Sequence, residues 1–121
     1  MGNKTWIILG GVFGFFGVAL GAFGAHGLGN TLSPEMLDIY KTGVNYQLIH
    51  SIAILSLGLF GDKKYFISAL FFSIGIVLFS FSLYIYSVTG NTAIVMITPI
   101  GGLCFLIGWL MIVFKAIKKS K

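Results

Sequence analysis

The chain has no arginine and only three acidic residues against eight lysines, so charged side chains make up 9% of its 121 residues. Soluble domains carry roughly 25%. A chain this poor in charge lacks a surface that water would accept, which disfavours a soluble enzyme, a DNA-binding domain and a disordered tail. A single cysteine, Cys104, excludes an intrachain disulfide and is most simply a small core residue of an apolar segment. With only two histidines it makes no zinc site. Glu35, Asp38 and Asp62 all stand outside the apolar runs, so no carboxylate pair is ready there for acid–base work. His50 and Ser51 are adjacent, but neighbours on a helix point about 100° apart. There is no Gly-x-Ser-x-Gly elbow, and the glycines form neither a P-loop nor a dinucleotide fingerprint. The chain reads as non-enzymatic, without catalytic residues, metal ligands or a cofactor.

What is present is hydrophobic: 57% of the residues are apolar and 16% aromatic, with a mean hydropathy of +0.99. Residues 5–34, 42–61 and 65–114 are free of charge, stretches of 30, 20 and 50 residues. As a helix the last would reach about 75 Å, over twice the ~30 Å hydrocarbon thickness. It must fold back, and Thr89-Gly90-Asn91-Thr92 is the turn available to it. The spacing predicts an all-α, single-domain membrane protein, a bundle of four spans at about 5–25, 42–60, 65–88 and 93–114. Ser33-Pro34-Glu35 reads as an N-cap, a first-turn proline and a first-turn acid. A short amphipathic helix at about 34–41 is expected there on the outer surface, leading into the second span.

With four spans, the N-terminus, the 61–64 loop and the C-terminus share one side and hold seven of the eight lysines. The positive-inside rule then places both termini in the cytoplasm, in a plasma membrane. Trp6, Tyr65 and Trp109 are expected near the inner boundary, and Tyr40, Tyr84 and Tyr86 near the outer one. The lysines from Lys115 onward read as an anchor at anionic lipid headgroups, not as a nucleic-acid site, since neither arginine nor interleaved aromatics accompany them. The first apolar run is longer than the core of a signal peptide, so it is expected to be retained.

Gly10, Gly14, Gly17, Gly21 and Gly24 recur at steps of 4, 3, 4 and 3, one stripe of the first span. Lipid provides little drive for helices to associate, so close packing on small residues must supply it. The stripe is read as packing within the bundle, with a self-association seam as the other reading. Ala69, Ser73, Ser80 and Ser87 form a comparable stripe on the third span. In the fourth, Pro99 cannot donate to the carbonyl of Val95, and with Gly101 and Gly102 nearby a kink or opened turn is expected.

Gly43, Tyr46, Gln47 and His50 fall at i, i+3, i+4 and i+7, within an arc of about 100°. A phenol, an amide and an imidazole on one face should look into the bundle and not at lipid. With Ser80, Tyr84 and Thr98 they make a candidate polar layer in the outer half: Tyr46, Gln47, His50, Ser80, Tyr84 and Thr98. Two readings compete. In one, a neutral His50 trades hydrogen bonds with Gln47, Tyr84 or Ser80. In the other, the layer lines a wet pocket in which His50 takes up protons or meets a small polar solute. His26, at the end of the first span, reads as interfacial.

Several segments carry a resemblance: Gly21-Ala22-Phe23-Gly24-Ala25-His26-Gly27, then residues 42–50 (TGVNYQLIH), Leu78-Phe79-Ser80-Phe81-Ser82-Leu83-Tyr84, Thr98-Pro99-Ile100-Gly101-Gly102 and Gly108-Trp109. Together, over nearly the whole chain, they resemble the YgdD-like family of small bacterial inner-membrane proteins, which has a eukaryotic transmembrane relative. Phe81 departs from the pattern, standing where a small residue is expected between the serines. The resemblance implies a four-span protein of a family without an established biochemical function. The expected role is a non-enzymatic accessory or structural membrane component in contact with membrane lipids. It leaves room for a homo-oligomer or a membrane-protein partner, and no nucleic acid is expected. The alternative is a small carrier or channel for protons or a polar solute, built around His50.

Overall fold

The computed structural model describes residues 2–118; lysines 119 and 121 of the basic tail lie outside it. All regular secondary structure among the described residues is helical, with no strand. Four helices are long and apolar enough to cross a membrane: α1 (Asn3–Gly27), α2 (Pro34–Phe60), α3 (Lys63–Thr89) and α4 (Thr92–Ile117).

Local chemistry sets their ends. Ser33 caps α2 by accepting the Met36 amide at 3.2 Å, and Pro34 follows in the first turn, where a missing N–H costs no bond. The helix then runs without a break from Pro34 to Phe60, through residues 34–41. Gly61 ends it in the left-handed conformation, φ 82°, and returns its amide to the Leu57 carbonyl. Gly90 closes α3 in the same way, φ 70°, with its amide on Tyr86. Asp62 and Asn91 then start the next helices, accepting the amides of Lys64 and Ala93 at 3.0 Å.

Two of the four helices are irregular. In α3 a π-helical turn, Ile76–Ser80, separates two α-helical parts, Phe66–Gly75 and Phe81–Thr89. The Phe81 amide reaches back five residues to the Ile76 carbonyl. A wide turn inserts one extra residue, so side chains beyond it are rotated relative to those before it. Serines on both sides thereby face inward: Ser68, Ser80, Ser82 and Ser87 are all buried. In α4, a 3₁₀ segment, Thr92–Met96, passes into the α-helix Thr98–Ile117. Pro99 stands in the first turn of that α-helix and not in the interior of a longer one. The opening is a 3₁₀-to-α junction, because proline costs no bond at such a position.

Each helix packs on its neighbours in the chain. The most extensive contact is α1 on α2, α3 lies against both α2 and α4, and α1 barely reaches α3. The helices therefore form an open row, with α2 and α3 inside and α1 and α4 outside. One core cluster joins Trp6, Ile54, Phe66, Ala69, Phe72, Ile76 and Phe105; a smaller one holds Leu28, Tyr40 and Val44. Trp6 is 2% exposed and packs inside the bundle, so it does not serve as a lipid-facing belt residue.

The seams are closest where glycine stands. A Cβ at Gly10 would lie 2.7 Å from the Leu55 amide nitrogen, and one at Gly58 would lie 2.8 Å from that of Ile7. These reciprocal sites bring the backbones of α1 and α2 together. Between α3 and α4, a Cβ at Gly101 would meet the Leu78 carbonyl carbon at 2.8 Å, and one at Gly75 the Gly101 carbonyl oxygen at 3.2 Å. Backbone cannot move aside as a side chain can, so overpacking there costs on the order of 1–3 kcal/mol. Gly10→Ala and Gly101→Ala should each lower the melting temperature in detergent by several degrees. Gly11→Ala, where the added methyl meets nothing within 4 Å, should leave it unchanged. Equal melting temperatures for all three would refute this account of the seams.

Candidate functional site

Gln47, fully buried on α2, is the centre of one polar junction. Its Nε2 donates to the Phe13 carbonyl of α1 at 2.8 Å, and its Oε1 accepts the Tyr84 hydroxyl of α3 at 2.6 Å. A backbone carbonyl can only accept, which sets the direction of the amide. One side chain thus ties three helices. An unpaired amide in hydrocarbon costs several kcal/mol, and here both ends are spent. Two turns toward the start of α2, Tyr40 is 3% exposed and donates to the Leu20 carbonyl of α1 at 2.6 Å. Its ring packs on Tyr84, centroids 5.2 Å apart, and covers Gly24.

His50 forms a second junction. Its Nδ1 lies 2.7 Å from the Tyr46 carbonyl, and its Nε2 lies 3.0 Å from the Trp109 indole nitrogen. The carbonyl only accepts and the indole only donates, so the pair of contacts selects one species: neutral imidazole with the proton on Nδ1. The ring stacks on Phe105, centroids 3.7 Å apart, and meets Phe72 and Trp109 edge to face. Through Trp109 and Phe105 it joins α2 to α4, two helices whose backbones hardly approach each other. A groove of about 540 Å³ opens beside it, walled by Tyr46, Phe79, Pro99, Gly102, Leu106 and Trp109.

A third polar contact lies between α3 and α4 toward the Gly90-Asn91 turn, where Ser82 and Thr98 hydroxyls are 2.5 Å apart. Ser80 is fully buried, and its hydroxyl has no partner among the described residues; its carbonyl faces Gly43, which leaves room for the Tyr84 ring. Tyr46 is 42% exposed and lays its ring on Phe79. The six residues of the expected layer are therefore divided. Tyr84 joins Gln47, His50 turns away to Trp109, Thr98 pairs with Ser82, and Ser80 stands apart. His50 bonds none of Gln47, Tyr84 and Ser80. The π turn accounts for the serine exchange, since it sets the register that brings Ser82 to Thr98.

The remaining candidates fall as follows. Gly10, Gly17, Gly21 and Gly24 face Leu55, Leu48, Val44 and Tyr40 of α2 in turn, and Gly14 stands more loosely over Ser51. Gly101 lies against α3, while Pro99 and Gly102 line the groove. His26 is exposed in the last turn of α1. No cluster of three or more potential metal ligands occurs among the described residues. Trp109 and Tyr40, expected only at the membrane boundaries, and Phe105 and Ser82, for which no role was expected, all join these junctions. Trp109 carried a usable signal: it lies about 12 Å inside the end of α4, where an indole N–H needs an acceptor. His50 lies about 15 Å inside the same end of α2, so the two share a level. Trp109 accordingly binds His50 through its indole N–H while 43% of it stays exposed at the bundle surface.

Comparison with known proteins matches residues 20–102 to a family described as a protein of unknown function, DUF423. The UPF0382 membrane protein YwdK of Bacillus subtilis is 43% identical over 121 aligned positions, covering 95% of this chain and 98% of the relative. A UPF0382 membrane protein of Haemophilus influenzae is 45% identical, with 99% and 98% covered. The UPF0382 inner membrane protein YgdD of Escherichia coli is 36% identical, with 100% and 95% covered. No solved structure gives a significant match.

Because Gln47 accepts from Tyr84 and donates to Phe13, its removal should cost more than that of either partner alone. Gln47→Leu should destabilise the protein by about 1–3 kcal/mol and Tyr84→Phe by less, since buried groups left unpaired set the cost. The double variant should fall well short of the sum. Strict additivity in reversible unfolding would show that the two side chains do not act together.

Proposed function

The chain belongs to the family of small membrane proteins described as DUF423 and represented by its UPF0382 relatives, and on that premise we propose that it is a non-enzymatic accessory or structural component of the membrane. The observation that carries this reading is His50. Both ring nitrogens are engaged, one with a carbonyl and one with an indole donor, and the neutral ring satisfies both. Taking up a proton at Nε2 would set N–H against N–H across 3.0 Å and lose the contact that joins α2 to α4. Gln47 and Tyr84 are likewise spent on each other and on α1. These groups hold helices together, and none is left poised to exchange partners with a solute.

In this reading both termini are cytoplasmic. The support is the distribution of the described lysines: Lys4, Lys63, Lys64, Lys115 and Lys118 gather at one end of the row, and Lys41, with Glu35 and Asp38 beside it, stands at the other. The basic end would rest on anionic headgroups. The exposed apolar faces of α1 and α4, including Phe15, Phe16, Leu106 and Phe114, meet lipid or a membrane-protein partner. A small carrier or channel is the second reading, favoured by the groove beside His50.

NMR of the imidazole nitrogens in nanodiscs separates the two. The accessory reading expects one tautomer, protonated at Nδ1, with shifts flat between about pH 5 and 8. Proteoliposomes should then show no proton flux above empty vesicles. A His50 that titrates in that range, with flux abolished by His50→Gln, would replace this reading with the carrier. A reporter fused to the C-terminus and active only outside the cytoplasm would overturn the orientation.

A further inference from the structure

The crevice between α2 and α4 runs along the bundle because these helices hardly touch at the backbone. Trp109 divides it by reaching across to His50. On one side lies the groove of about 540 Å³, and on the other a groove of about 330 Å³ lined by Ile52, Ser56, Leu57 and Ile112. We propose that the larger groove is a binding site for one acyl chain of a phospholipid, drawn from the leaflet next to the Gly90-Asn91 turn. Its floor is the indole of Trp109.

Four observations fit this occupant. The groove is framed by Leu103 and Leu106, 56% and 63% exposed, on helices that cross the membrane, so its mouth meets hydrocarbon. From Pro99 to Trp109 it is about 15 Å long and lies across the middle of the span, Trp109 being about 12 Å from the far end of α4, so it takes the terminal half of a chain whose start lies nearer the turn. Its walls offer aromatic faces, and the one imidazole beside them has both nitrogens engaged within the protein. A polar solute would find the Tyr46 hydroxyl and little else to bond. Size also separates a chain from a helix: a helix is about 10 Å across, and a single turn would use up the volume, whereas a narrow chain runs its length. Gly102 contributes no side chain and keeps the groove open; a Cβ there would meet Phe79 only at 3.8 Å, so a larger residue is accommodated and projects into the space. This site does not depend on whether His50 is structural or carries protons.

The test uses the full chain with Trp6→Phe, leaving Trp109 as the sole tryptophan. It is reconstituted in nanodiscs of phosphatidylglycerol and phosphatidylcholine brominated mid-chain, and compared with Gly102→Leu and Leu106→Phe in the same background. The parent should retain one lipid in native mass spectrometry after detergent extraction, and its Trp109 emission should be quenched by the brominated chains. Gly102→Leu, with helicity unchanged, should lose that lipid and part of the quenching, the remainder coming from lipid on the exposed side of Trp109, which is 43% exposed. Should Gly102→Leu not fold, Leu106→Phe, which crowds the mouth, decides in its place. Retention of the lipid and of full quenching in the folded variant overturns the proposal. So does a parent that carries no lipid, or one that is recovered as a dimer with Trp109 shielded by a second copy.

Discussion

Inside a bilayer no water competes for hydrogen bonds, and the surrounding hydrocarbon is as apolar as the side chains. A helix there gains nothing by hiding leucine, so association must come from close backbone contact and from polar groups that find partners within the protein. The architecture follows from that constraint. Gly10 and Gly58 bring α1 onto α2, and Gly75 and Gly101 bring α3 onto α4. Gln47, Tyr40, His50 and Ser82 then supply the cross-helix bonds, two of them to backbone carbonyls that already serve the helix ladder.

Those two kinds of contact are distributed unequally, and the shape of the molecule reflects it. Consecutive helices meet through backbone, while α2 and α4 meet through side chains, chiefly His50 and Tyr46 with Phe105 and Trp109. A seam closed by aromatic side chains is wider than one closed on glycine, which leaves grooves on either side of Trp109. The π turn in α3 belongs to the same arrangement. It lies where Gly43 approaches from α2 and Gly101 from α4, and its extra residue rotates Ser82 toward Thr98 while Tyr84 stays with Gln47. A regular α-helix over the same residues would place those side chains differently.

Relatives 36–45% identical over nearly the whole chain share a membrane setting in their names, and those names specify no reaction. Fold and family therefore constrain the role less than the site does. Here the side chains with the most chemical potential, an imidazole, an amide and two phenols, are committed to one another and to backbone.

Composition and charge spacing alone determine a helical membrane protein of four spans, because a charge-free stretch of given length either fits the hydrocarbon or must fold back. Periodicity also shows that Gly10, Gly17 and Gly24 share a stripe and that Tyr46, Gln47 and His50 share a face, since both follow from 3.6 residues per turn. Partners are another matter. That His50 turns to Trp109, 59 residues away, and Gln47 to a backbone carbonyl of α1 depends on which helices are neighbours and at what depth they cross. Serine 82 in place of serine 80 depends on a π turn that no local pattern announces. The open crevice exists because α2 and α4 are both neighbours of α3 and not of each other. One helix's periodicity describes its own surface; what covers that surface is decided only when the helices pack.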